Sequence, residues 1–129
     1  MKQPGLDSLH QTFAALADPT RLRIVGLLLS GEVCVCHIHE TLQIPQPKAS
    51  RHLAYLRRSG IVTATKRGLW VHYALAEPRD AATADVLAAI KASVSGLDST
   101  RRDRARLHRR MGGVGPAADR ATQGASRGR

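Results

Sequence analysis

Two prolines divide the middle of this chain in a way that few folds accommodate. Ile44-Pro45-Gln46-Pro47 lies between two stretches of helical periodicity. Neither proline can sit inside a helix, because each lacks an amide hydrogen and clashes with the preceding turn. The spacing therefore predicts one helix from about residue 33 to 42, burying Ile38 and Leu42. A second helix begins near Pro47, where a first-turn proline is tolerated. In it, Ala49, Leu53 and Leu56 recur at i, i+4 and i+7 as an inward stripe. Lys48, Ser50, Arg51, Arg57 and Arg58 fall mostly on other faces, and Gly60 ends the helix. Two short helices with a tight break, the second basic on one side, form the pattern of a helix-turn-helix.

The flanking sequence extends that pattern. Leu6, Leu9, Phe13 and Leu16 mark a short amphipathic first helix. Asp18-Pro19 reads as an N-cap followed by proline at the first helical position. Leu22, Val25, Leu28 and Leu29 supply that second helix with an apolar face, and Gly31 stops it. After Gly60, residues 61–66 and 69–75 are β-branched and apolar runs joined through Arg67-Gly68, a hairpin with a basic tip. Glu77-Pro78 opens a last helix, striped by Val86, Leu87, Ile90 and Val94 and ended by Gly96. The expected fold is mostly α with a β-hairpin, a winged helix-turn-helix. Its first and last helices have no other partner in this order, so they are assigned to a homodimer interface. One Phe, one Trp and two Tyr make a thin core for a monomer of this size, which favours the same assignment.

Charge narrows the partner. The formal net charge of +10 points to a polyanion, nucleic acid before membrane. Nine arginines against two aspartates lie in residues 101–129, leaving only +3 to the first hundred residues. Residues 1–98 are thus expected to form the folded domain, and residues 99–129 a basic, disordered tail. No apolar run reaches the roughly 18 residues of a membrane span, and no leader pattern opens the chain. A cytoplasmic location follows as the expectation, and there the two cysteines stay reduced.

Gln46, Lys48, Ser50, Arg51 and His52 place an amide, cations, a hydroxyl and an imidazole within two turns of the helix start. These are the groups that reach base edges and phosphates. Arg67 at the hairpin tip, beside Lys66, would reach phosphate or the minor groove. A solvated basic face on an ordinary core helix carries the same residue types. The preceding helix, the proline break and the hairpin together favour DNA. Trp70 and Tyr73 read as packing residues.

Cys34 and Cys36 are the only thiols. Two thiolates so close suit a soft, thiophilic ion. On a regular helix, neighbours at i and i+2 point about 200° apart, so a shared ion would force the backbone out of helical geometry. The pair also fits two small buried hydrophobes or a redox sensor. The oxidoreductase motif has two intervening residues, whereas this pair has one. His37 and His39 lie close enough to add a ligand. No Ser-His-Asp arrangement, phosphate loop or paired acids emerge, so no enzyme is expected.

These residues resemble the ArsR/SmtB family of metal-responsive repressors. ADPTRLRIVGLLLSGEVCVCHI is similar to the family's second helix running into its arsenic motif, ELCVCDLC. QPKASRHLAYLRRSGIV resembles its recognition helix, with Pro45 standing where relatives often carry a serine cap, and RGLWVHYAL resembles its wing. The likeness covers about residues 9–75 closely and the last helix loosely. It implies a homodimer that represses its own operon from operator DNA and leaves when a metal or metalloid binds. Cys34 and Cys36 match the first two arsenite-binding cysteines, and His39 falls where the motif has its third. Arsenite or antimonite would be the inducer, with no cofactor required. The same fold sensing cadmium, lead or an oxidant is one rival, and a thiol-dependent enzyme is another. The zinc-sensing branch uses acidic and histidine ligands on its last helix; residues 78–96 offer Asp80 and Asp85 but no histidine.

Overall fold

The computed structural model describes residues 5–112. Helix α1 spans Leu6–Leu16 and α2 spans Pro19–Leu27, separated by the Asp18 N-cap. The Asp18 carboxylate accepts from the Arg21 amide at 3.0 Å. A short 3-10 turn, Leu28–Ser30, and Gly31 at φ 137 redirect the chain into strand β1, Val33–Cys34. Helix α3, Val35–Leu42, and helix α4, Gln46–Arg58, form the helix-turn-helix.

The turn between them is built before Pro45 is reached. Gln43 adopts a left-handed conformation at φ 60, while Ile44 N donates to His39 O and Gln43 N to Glu40 O. This 6→1 and 5→2 pair satisfies the last carbonyls of α3. Gly60, at φ 81, closes α4 by the same device, through Ile61 N to Leu56 O and Gly60 N to Arg57 O. Only glycine takes that conformation without strain.

Strands β2 (Val62–Arg67) and β3 (Trp70–Leu75) pair antiparallel with Arg67 opposite Trp70, leaving Gly68-Leu69 as a two-residue loop. Gly68, at φ 65, supplies the positive dihedral such a loop needs at its first position. The wing is more than a hairpin, because β1 joins the other edge of β3 with Val33 opposite Tyr73 and Cys34 opposite His72. The helix expected from residue 33 therefore begins two residues later. Val33 and Cys34 are apolar and buried, and their backbone groups find ladder partners on β3.

Helix α5, Ala81–Ser95, is capped by Asp80 through the Thr83 amide at 2.8 Å. It is not the last helix. Helix α6, Asp98–Arg110, occupies the start of the stretch expected to be a disordered tail. Thr100, Asp103 and Leu107 are its buried positions, at i, i+3 and i+7. An arginine-rich composition hides that stripe, because its central member is an acid whose burial depends on a distant partner. Residues 113–129 of the expected tail lie outside the described residues. The core gathers Ile24, Leu27, Leu28, Ile38, Leu53 and Leu56, all fully buried between α2, α3 and α4. The architecture is a winged helix-turn-helix with a helix docked on its flank.

Candidate thiol site and nucleic-acid interface

The two thiols converge. Cys34 Sγ and Cys36 Sγ are 2.7 Å apart, and the Cys36 amide donates to Cys34 Sγ at 3.3 Å. The expected conflict between helical geometry and a shared ion does not arise. Cys34 belongs to strand β1 and caps α3, and only Cys36 is within the helix. Cys34 is buried and Cys36 half-buried. The hydrogen bond with Cys34, burial, and the charges of Cys34 and Glu40 push the Cys36 thiol far above its ordinary value. Two neighbouring thiolates are disfavoured in this setting unless a positive centre replaces both protons.

The site is a mechanical junction as well. Cys34 faces His72 across the ladder, so the first thiol is part of the wing sheet. The second stands in the first turn of the helix that positions α4. Glu32, just before β1, receives both Nε and Nη2 of Arg67 at 2.9 and 3.0 Å, fastening the wing tip to the same segment. The register of His72 opposite Cys34 depends on the long-range pairing of a two-residue strand.

His39 stands apart from the pair. Its Nδ1 lies 3.2 Å from Ile44 O, at the turn that ends α3. Among the described residues, no three His, Cys, Asp or Glu side chains are grouped as a metal cage. Of the residues read as ligands, the fold brings Cys34 and Cys36 together.

Along α4, Gln46, Lys48 and Arg51 are exposed and Ser50 is partly so. His52 faces inward. Its side chain is 17% exposed, with Nδ1 3.8 Å from Asp18 Oδ2 and 3.2 Å from Arg21 Nη1. Burial lowers its pKa; Asp18 opposes the shift, and Arg21, Lys48 and Arg51 reinforce it. Arg21 also donates to Ala15 O and Ala14 O and lies 4.1 Å over the Tyr55 ring. His52, Arg21 and Tyr55 thus clamp α4 to α2. The expected contact of Arg67 with DNA meets a competing partner in Glu32, although its side chain remains 56% exposed. Lys66 beside it is exposed.

Residues 18–64 match the family model described as bacterial regulatory protein, arsR family. The chain is 56% identical over 66 residues to the arsenical resistance operon repressor of Escherichia coli, covering 50% of this chain and 56% of that protein. It therefore spans about half the length of that relative. It is 46% identical over 70 residues to the HTH-type transcriptional regulator MJ1325 of Methanocaldococcus jannaschii, covering 54% of this chain and 79% of the other. The homodimeric winged helix-turn-helix DNA-binding domain of Mb0332 from Mycobacterium bovis superposes with a TM-score of 0.59 at 30% identity, over 68% of this chain and 79% of that one. With the fold, the helix-turn-helix and these matches in agreement, the chain belongs to the arsR family of bacterial regulatory proteins.

Proposed function

We propose that this chain is a dimeric repressor that binds operator DNA through α4 and the wing and is released when trivalent arsenic or antimony binds Cys34 and Cys36. The observation that carries the reading is the thiol pair at the join between the wing sheet and α3, with its sulfurs 2.7 Å apart. Relatives described as an arsenical resistance operon repressor and an arsenic resistance transcriptional regulator favour the metalloid. In the binding step, arsenous acid loses two hydroxides as water, taking up the two thiol protons, and two As–S bonds form. Arsenic stays trivalent and keeps one hydroxide, which an external thiol can displace. His39 would have to leave Ile44 O to fill that third position.

Dimerisation is assigned to α1 and α5. Leu6 and Phe13 on α1 are 82% and 52% exposed, an apolar surface that a second copy would cover. On α4, Gln46, Lys48, Ser50 and Arg51 are offered to base edges and phosphates. His52 sets the helix's orientation, and Lys66 and Arg67 lie along the wing. Arsenic bridging a strand residue and a helix residue would change the angle between wing and α3. A hundredfold loss of operator affinity needs about 2.7 kcal/mol of coupling.

The test is operator release. Cys34→Ser is expected to bind operator as the unsubstituted protein does and to remain bound in arsenite. Loss of DNA binding in that variant would make the cysteines structural. The same pair also supports an oxidative reading, in which a peroxide takes two electrons and two protons from the thiols to leave a disulfide. Release by peroxide and not by arsenite or other thiophilic ions would favour it.

A further inference from the structure

Helix α6 is docked in one defined way. Asp103 is 3% exposed and takes both Arg23 Nε and Nη2, at 2.9 and 2.8 Å. Gly26 of α2 lets α6 approach closely: a Cβ there would stand 3.1 Å from Thr100 Cγ2. The far end is fixed to α3. Arg106 Nη1 donates to Thr41 O at 2.9 Å, and Arg110 pairs with Glu40. Glu40 and Thr41 fall just before the turn at Gln43, so α6 ends beside the break that leads into α4.

This docking sorts the arginines of α6. Arg104, Arg106 and Arg110 are engaged by Ser30, Thr41 and Glu40, whereas the exposed Arg101, Arg102, His108 and Arg109 make no bond to α2 or α3 among the described residues. At 100° per residue these four positions fall within one sector of about 120°. Arg101 pairs with Asp98, and no acidic partner engages Arg102 or Arg109 among the described residues. The outer face of α6 is cationic, and its contacts to Glu40 and Thr41 orient it on the first helix of the helix-turn-helix. In such motifs the first helix crosses the DNA backbone while the second enters the groove. An element fixed to the end of that first helix is placed for the phosphates flanking the groove.

We propose that α6 is a second, sequence-independent DNA contact, in which Arg102 and Arg109 bind backbone phosphates beyond those met by α4 and the wing. The proposal rests on the DNA-binding reading above. Its partner is the duplex backbone, because the face has guanidinium groups for phosphate and, between them, only the methyl of Ala105, too small to anchor a protein or a bilayer.

The test uses the full chain and a mixed-sequence duplex, titrated by fluorescence anisotropy from about 50 to 200 mM salt. Arg102→Gln with Arg109→Gln is compared with Lys48→Gln with Arg51→Gln. Each lost phosphate contact should flatten the slope of log affinity against log salt by about 0.9, so the α6 pair should lower it by about two per protomer. Arg102→Lys with Arg109→Lys should restore the slope, since the contact is with charge. An unchanged slope in the α6 variant, with a reduced slope in the α4 variant, overturns this inference and leaves the DNA-binding reading standing. No duplex binding by the unsubstituted chain overturns both.

Discussion

Helices α4 and α6 are each 13 residues long and both are cationic, yet they are held by opposite means. Helix α4 is seated by Ala49, Leu53 and Leu56, all fully buried, and its cations are left to solvent. Helix α6 is seated by the Asp103–Arg23 pair and by arginine contacts to α3, with Leu107 as its buried aliphatic side chain. Apolar docking is non-directional and strong per side chain. Ion-paired docking fixes geometry while contributing little net stability. The recognition helix should therefore stand or fall with the whole fold, and α6 should be able to detach alone.

Substitution separates the two. Leu53→Ala should cost about 2–5 kcal/mol through the cavity it opens, lowering the midpoint of global denaturation. A loss below about 1 kcal/mol would show that α4 is not part of the cooperative core. Asp103→Ala should cost less, roughly 1–2 kcal/mol, because Arg23 is 34% exposed and water can replace its partner. Its signature should be local, with faster amide exchange and proteolysis in α6 while α4 stays protected. Equal loosening of both helices would erase the distinction.

The smallest effect is one of pH. The pKa of His52 is lowered in the fold, so its protonation favours the unfolded chain. Its contribution is present above the ordinary histidine value of 6.5 and is lost as pH falls below it. His52→Gln should flatten the stability profile across that window. A profile unchanged in the variant would remove His52 from the clamp on α2.

The same contrast explains what could be read from sequence. Helix α4 was legible because Ala49, Leu53 and Leu56 repeat at helical spacing after a proline break, and Gly60 marks its end. Helix α6 was not, since its buried positions are a threonine, an aspartate and a leucine among arginines, and Asp103 is explained only by Arg23, eighty residues away in sequence. The thiol site was half legible. Cys34 and Cys36 stand out by type and spacing, but their convergence depends on Cys34 leaving the helix for a two-residue strand. That strand is fixed by β3, through a pairing no local pattern encodes. His52 carried the right chemistry for DNA and faces α2 because Asp18 and Arg21 wait there.

The central claim is that Cys34 and Cys36 act as one metalloid site. Its most direct test is an anaerobic arsenite titration of the reduced protein, following free thiols and native mass, with Cys34→Ser alongside. The account predicts that both thiols are lost at about one arsenic per chain, as expected for a soft ion on two thiolates, and that the variant binds none tightly. Two thiols still free at saturating arsenite, or tight binding retained by Cys34→Ser, would contradict it.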